Sequence, residues 1–446
     1  MSPHDAGRRR VHRSVATGLP LALAAALVAA GTATAAPYRD ARVIRTATLG
    51  EIPLGTFSNA LLPGSVDDDH GVKLGGIGSD IYPAGRKGEY WTVTDRGPNG
   101  QIKVDGKKRR TFPVPGFDPA IVKIRVCGDT VQVIDAIPLT TSSGKAVTGL
   151  PDQQSRDEAP YTYDAKTPLS YDPNGLDTEG IVRAADGTFW LVDEYGPSLV
   201  HVSAHGKVLT RYVPKGLGLT GADYPVVEAL PSIFLHRKIN RGFEGLAQLP
   251  DGDLVMALQS PLSLPDADAG DASLTTRLLR FSPREKAVTA EYAYRFDPVN
   301  VVDPSEDDTS ELKISSVVAV GGDRLLVEEH TDKAARLQLV QLGRRSSILG
   351  GPWDDDTTSP SLEQLDDPAT AGVPVLAKRL VVDLNKVDGV QHKIEGIARV
   401  DHDTLALIND NDFGMTDGAG AFDAQGRLVD SGIKTTVVYV RLPEGL

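Results

Sequence analysis

Acidic side chains recur at fixed places beside short apolar runs, at a spacing suited to metal-ion or acid–base chemistry. In "DTEGIVRAADGTFWLVDEYGPS", residues 177–198, Glu179 stands just before the run Ile181–Ala184. Asp193 and Glu194 stand at the end of the run Phe189–Val192, and Asp186-Gly187 lies between the two. Asp-Gly flanked by apolar runs is a strong short-range hairpin signal. In an antiparallel hairpin the start of one strand lies beside the end of the other, so three carboxylates crowd one edge and repel. That crowding is tolerable where a cation binds or some members keep their protons. Hard oxygen ligands from several strands suit Ca²⁺, which takes six to eight oxygens in flexible geometry.

The elements that must position these groups repeat along the chain. Related hairpins begin at Phe243 ("FEGLAQLPDGDLVMALQSP"), Ile394 ("IEGIARVDHDTLALINDND"), Ile314 ("ISSVVAVGGDRLLVEEHTD") and Gly75 ("GGIGSDIYPAGRKGEYWTVTDRGPN"). Two further strands follow several of them, as in "SLVHVS" and "VLTRYVP" after Glu194. The repeating unit is therefore a four-stranded meander, and radial repetition of such sheets is the β-propeller plan. The expected fold is an all-β propeller of five or six four-stranded blades. Long loop insertions fall at residues 140–175, 262–275 and 345–375. The last copy lacks a fourth strand, and "ARVIRTATL" near the N-terminus is expected to supply it and close the ring. A β-sandwich is the competing architecture.

In a propeller, corresponding ends of the inner strands converge on one mouth of a central channel. The hairpin geometry then assigns Glu179, Asp193, Glu194, Glu244, Glu328, Glu395, Asp410 and Asp412 to that mouth as ion ligands. Glu179, Glu244 and Glu395 share an "EG" slot, whose glycine would permit a strand bulge. Ser315 fills the slot in the fourth copy, and Gln259 interrupts the acids of the third, so the ring is not uniform. Arg96, Arg241 and Lys393 sit among the acids, as ion-pair partners or as clamps for an anionic ligand. His330, with Glu329 beside it, is the candidate for general acid–base catalysis. Trp91 and Trp190 occupy matching strand positions and are expected in the core.

Bulk properties bound the function classes. Arg8, Arg9, Arg10 and Arg13, the apolar stretch Leu21–Ala30 and "TATAAP" read as a secretory signal peptide over residues 1–35, leaving 36–446 as one secreted, extracellular domain. The 446-residue chain carries a net charge of −13, and loss of four leader arginines leaves it more acidic still. Such a surface argues against nucleic acid and anionic membranes as partners. Cys127 is the only cysteine, so neither an internal disulfide nor a cysteine metal site can form. Nucleophile-elbow, zinc-protease, phosphate-loop and dinucleotide motifs are absent from the sequence.

From about Leu74 to the C-terminus the ordered motifs "YWTVTDRGPNG", "DTEGIVRAADGTFWLVDEYGPSLVHVS", "NRGFEGLAQLPDG" and "KIEGIARVDHDTLALINDNDFG" resemble the phytase-like, or esterase-like, domain family of secreted bacterial proteins. The resemblance implies a propeller-like fold and kinship with Ca²⁺-dependent propeller phytases. That kinship in turn implies phosphomonoester hydrolysis, with Ca²⁺ ions offsetting phosphate charge and activating water. Candidate phosphate-binding residues are sparse: Arg96, Arg241, Lys393 and, further off, Arg183. The expectation is a monomeric hydrolase of a small anionic ester. Its alternatives are a ligand- or partner-binding propeller with structural Ca²⁺ and a lactonase-like propeller.

Overall fold

The computed structural model describes residues 40–446; the expected signal peptide lies outside the described residues. The chain is all-β, with short helices such as Leu54–Leu61. No helix among the described residues is long and apolar enough to cross a membrane.

Apolar runs such as "FWLV", "LVMAL" and "LALI" read as strands buried on both faces, and the sheets bear this pattern out. The first antiparallel meander comprises Ile81–Pro83, Glu89–Val93, Ala120–Cys127 and Thr130–Pro138. The second comprises Thr178–Arg183, Phe189–Asp193, Ser198–Val202 and Val208–Pro214, with Val226–Leu230 added in parallel. The third runs through Phe243–Gln248, Leu254–Leu258, Thr275–Ser282 and Ala287–Arg295. The fourth runs through Val317–Gly321, Arg324–His330, Ala335–Gln341 and Lys378–Asp383.

The fifth begins with Ile394–Arg399, Thr404–Asn409 and Thr436–Arg441, and its outer strand comes from the other end of the chain. Arg42–Leu49 pairs antiparallel with it, Arg42 opposite Arg441 and Thr48 opposite Thr436. Thr48 and Leu49 also pair in parallel with Thr130 and Val131, fusing the first and fifth meanders into one eight-stranded sheet.

The first strands of the meanders neighbour one another in a closed cycle. Ile81–Pro83 lies against Thr178–Arg183, which lies against Phe243–Gln248; Val317–Gly321 and Ile394–Arg399 follow, and the last returns to Ile81–Pro83. Each sheet is apolar on both sides. Along Phe189–Asp193, Phe189 and Leu191 pack toward the first meander, whereas Trp190 and Val192 pack toward the third. Along Leu254–Leu258, Val255 and Ala257 face the fourth meander, and Leu254, Met256 and Leu258 face the second. Strand alternation thus builds a separate core between every neighbouring pair of sheets. Trp91 and Trp190 are core residues: Trp91 meets Phe189 edge-on at 5.1 Å, and Trp190 stacks on His201 at 4.1 Å.

Two features escape the sequence pattern. Gly100–Val104, Lys107–Phe112 and Pro160–Thr162 form a small three-stranded sheet between the first and second meanders in chain order. The insertions are also pinned to the sheets by buried arginines. Arg277 of the third meander bonds Glu291 at 2.6 Å and reaches Glu363 of the 345–375 insertion at 2.8 Å, all three side chains fully buried.

Candidate functional site

The strand ends bring charged groups to one edge of the cycle, and the "EG" glycines explain how they fit. Gly180 packs against the next inner strand so closely that a Cβ would lie 2.7 Å from the Glu244 carbonyl oxygen. A Cβ on Gly396 would lie 2.8 Å from the Asp80 backbone. The pairing register also shifts at each slot, leaving Glu179, Glu244 and Glu395 out of the ladder. The glycine therefore serves close approach and bulge together.

These ends enclose a polar cavity of about 160 Å³. Its acids are Asp95, Glu179, Glu194, Glu244, Glu395, Asp410 and Asp412, and its cations are Arg96, Arg110, Arg241, Lys313 and Lys393. Arg96 Nη2 bridges Asp177 at 2.8 Å and Glu194 at 3.0 Å, over the face of Tyr195. Lys393 Nζ reaches Asp410 at 3.0 Å and Glu395 at 3.7 Å, and also bonds Asp412. Arg110 is held by Glu158 at 2.6 Å and by Asn99 at 2.9 Å.

Burial pushes the carboxyls of Glu179, Glu395, Asp95 and Asp177 well above the usual carboxylate range. Neighbouring charges add to this: Asp177 and Glu244 act on Glu179, and Asp410 acts on Asp95 and Glu395. Glu244 is raised to about 8, by burial and then by Glu194. Like charges this close in a buried site favour a bound cation or a retained proton. One oxygen each of Asp177, Glu179 and Glu194 lies within 4.8 Å of the others, all three residues buried. Three hard oxygens at that spacing could hold a metal ion.

Several buried polar atoms of the cavity have no hydrogen-bond partner among the described residues. The acceptors are Glu244 Oε2, Gln259 Oε1 and Asn240 Oδ1; the donors are Arg96 Nε and Nη1 and Arg241 Nη1. Unpartnered acceptors call for a cation and unpartnered guanidinium groups for an anion. A family model described as phytase-like, esterase-like activity of phytase, matches residues 72–413. The chain belongs to the phytase-like family.

A secreted protein of the fungus Arthroderma benhamiae is 25% identical to the phytase-like chain over 303 residues. The match covers 59% of each protein, so the chain spans about three fifths of that relative's length. Similar solved structures include a luciferin-regenerating enzyme, at 10% identity over 84% of this chain and 95% of that one, TM-score 0.34. The PQQ-bound aldose sugar dehydrogenase of Streptomyces coelicolor is 12% identical over 91% and 99%, TM-score 0.32. With scores and identities this low, function has to be read from the phytase-like chain's own geometry.

Not every expected ligand reaches the cavity of the phytase-like domain. Asp193 is fully buried away from it, with its carboxylate bonded by Arg211, Ser198 Oγ at 2.8 Å and the Asp177 N–H at 2.8 Å. It is an ion-pair partner because Arg211, fully buried itself, needs a counter-charge. Glu328 is also fully buried and outside the cavity lining, and neither of its carboxylate oxygens has a partner among the described residues. Burial, then Glu244 and Asp80, hold its carboxyl well above the ordinary range. Glu329 does not pair with His330. It accepts from Tyr294 Oη at 2.7 Å and from Lys378, since consecutive strand residues face opposite sides.

His330 is buried behind the lining, and burial followed by the charge of Lys313 lowers its pKa to about 3. Asp95, Asp177, Arg110, Asn240 and Lys313 had no place in the sequence expectation. Asp95 could have been found, because "TVTDRGPN" set against "LVDEYGPS" puts it where the second copy has Glu194. In the first meander Ser79 stands in the slot and lines the cavity, and Asp80 takes the place of the slot's glycine. Its carboxylate accepts from the Ile81 N–H at 2.8 Å and the Ile181 N–H at 2.9 Å, tying two inner strands together.

Proposed function

We propose that the closed cycle is a five-bladed propeller and that its acidic cavity hydrolyses a small anionic ester, a phosphomonoester first, with Ca²⁺ as cofactor. The observation that carries this reading is the pairing of unpartnered buried oxygens with unpartnered buried guanidinium nitrogens in one cavity. A metal-bound anion satisfies both sets at once; a simple ion-pair network leaves both wanting.

Asp177, Glu179 and Glu194 would hold the ion, with Glu244 Oε2 beside them. When bound there, Ca²⁺ supplies a Lewis acid that offsets substrate charge and lowers the pKa of water. Arg96 and Arg241 point free N–H groups at the anionic group and orient it. Glu395, on the inner strand of the fifth meander, has its carboxyl raised by burial and would serve as the acid for the departing oxygen. The remaining lining is polar and shaped for a small head group, not for an apolar chain. With its leader removed, the protein would act outside the cell as a monomer.

The deciding experiment is phosphate release from a panel of phosphomonoesters, with and without Ca²⁺, alongside carboxylic esters and lactones. Release that needs Ca²⁺ supports the reading. Turnover confined to esters or lactones moves the substrate class, and silence on all three leaves ligand binding with structural Ca²⁺.

A further inference from the structure

Ser315 occupies the slot that holds a glutamate in the second, third and fifth meanders. Its Oγ lies 2.7 Å from Glu244 Oε1 and 2.6 Å from His330 Nε2, within hydrogen-bond distance of both. The other ring nitrogen, Nδ1, faces the Thr331 carbonyl at 3.1 Å. The backbone of His330 is fixed by reciprocal N–H bonds with Lys313, at 2.9 and 3.0 Å. Ser315 and His330 are essentially inaccessible and Glu244 is 3% exposed, so water does not compete for these contacts. A serine hydroxyl carries one hydrogen, so the three side chains form one hydrogen-bonded unit and not two independent pairs.

This unit treats the two oxygens of Glu244 differently. Oε1 is tied back to the fourth meander, and Ser315 is the only hydrogen-bond partner of the carboxylate among the described residues. Oε2 is left without a partner in a residue that lines the cavity. A glutamate in place of Ser315 would reach the cavity itself; the shorter serine holds its neighbour's side chain instead. Outer partners of this kind set the orientation and basicity of carboxylate ligands.

We propose that Ser315, oriented by His330, is a positioning residue that fixes the Glu244 side chain so that Oε2 meets a divalent cation in the cavity. The proposal rests on the ion-binding part of the functional reading above. The test titrates the full domain with Tb³⁺, then displaces it with Ca²⁺, for the wild type, Ser315→Ala, His330→Ala and His330→Gln. Luminescence lifetimes in H₂O and D₂O count the waters on the bound Tb³⁺.

The expected result is a Ca²⁺ affinity about 10- to 100-fold weaker in Ser315→Ala and His330→Ala. Each should also show an additional water on the ion, while the metal-free melting temperature changes little. His330→Gln, which keeps a polar group near the serine, should recover part of the affinity. Unchanged affinity and water count in both alanine variants would overturn the positioning role alone. A wild-type protein that binds neither ion would overturn it together with the ion-binding reading. If Ser315→Ala does not fold, His330→Ala is read by the same criteria, and failure of both to fold assigns the unit to packing and overturns the proposal.

Discussion

Glu179 and Glu244 share one environment and make separable predictions. Glu179→Gln keeps the side chain's size while removing a charge from the Asp177–Glu179–Glu194 group. Calorimetry should show Ca²⁺ affinity falling by at least the about 10- to 100-fold typical of outer-shell partners. Stabilisation of the metal-free fold by the same change is also expected, because a neutral amide needs neither a proton nor a counter-ion to be buried there. The Glu244 carboxyl, raised to about 8 from an ordinary 4.5, ties stability to pH. The folded state then holds a proton that the unfolded chain releases, so this contribution is present below about 4.5 and is lost as pH rises through about 8. Metal-free melting temperatures should therefore fall from pH about 5 to about 9, and saturating Ca²⁺ should flatten that slope by replacing the proton with a cation. Neighbouring strand residues mark the limit of what was legible at this scale. In "VEEHTD" the sequence puts three candidates side by side, but Glu329 turns to Tyr294 and His330 to Ser315. Which face each takes depends on a register that the string does not state.

At the scale of the element, the hairpins were readable because their second strands are buried on both sides and their turns carry Asp or Gly. The insertions were not, because they dock through single charged residues far apart in sequence. Arg277 and Glu363 are 86 residues apart, and nothing in either neighbourhood marks the pair. Replacing Arg277 by Met should leave Glu291 and Glu363 buried without a counter-charge, at a cost of about 3–5 kcal/mol in urea unfolding. The "EG" glycines give a second element-scale prediction. Gly180→Ala places a methyl group against the Glu244 carbonyl oxygen and the Leu246 amide nitrogen, neither of which can rotate away. Unfolding should become easier by about 1–3 kcal/mol, and Ca²⁺ affinity should fall with it, since the bulge also sets the direction of Glu179.

For the molecule as a whole, the sheet pairing of Arg42–Leu49 with Thr436–Arg441 predicts that the N-terminal strand is indispensable. Deleting residues 40–49 would bare the edges of both Thr436–Arg441 and Thr130–Val131, which now bond to it. The melting temperature should drop by several degrees at least, with association through the exposed edges. An unchanged melt would refute the need for this closure.

That pairing also governs the order in which the molecule can assemble. A strand near the start of the chain must wait for one made almost last, and contacts of such long sequence separation form slowly. The cavity draws its side chains from Asp95 through to Asp412, so it cannot exist until nearly the whole chain is present and the first strand has been captured. Ion binding is then a late event in the life of each molecule, and a luminescent lanthanide added during refolding would serve as a clock for ring closure.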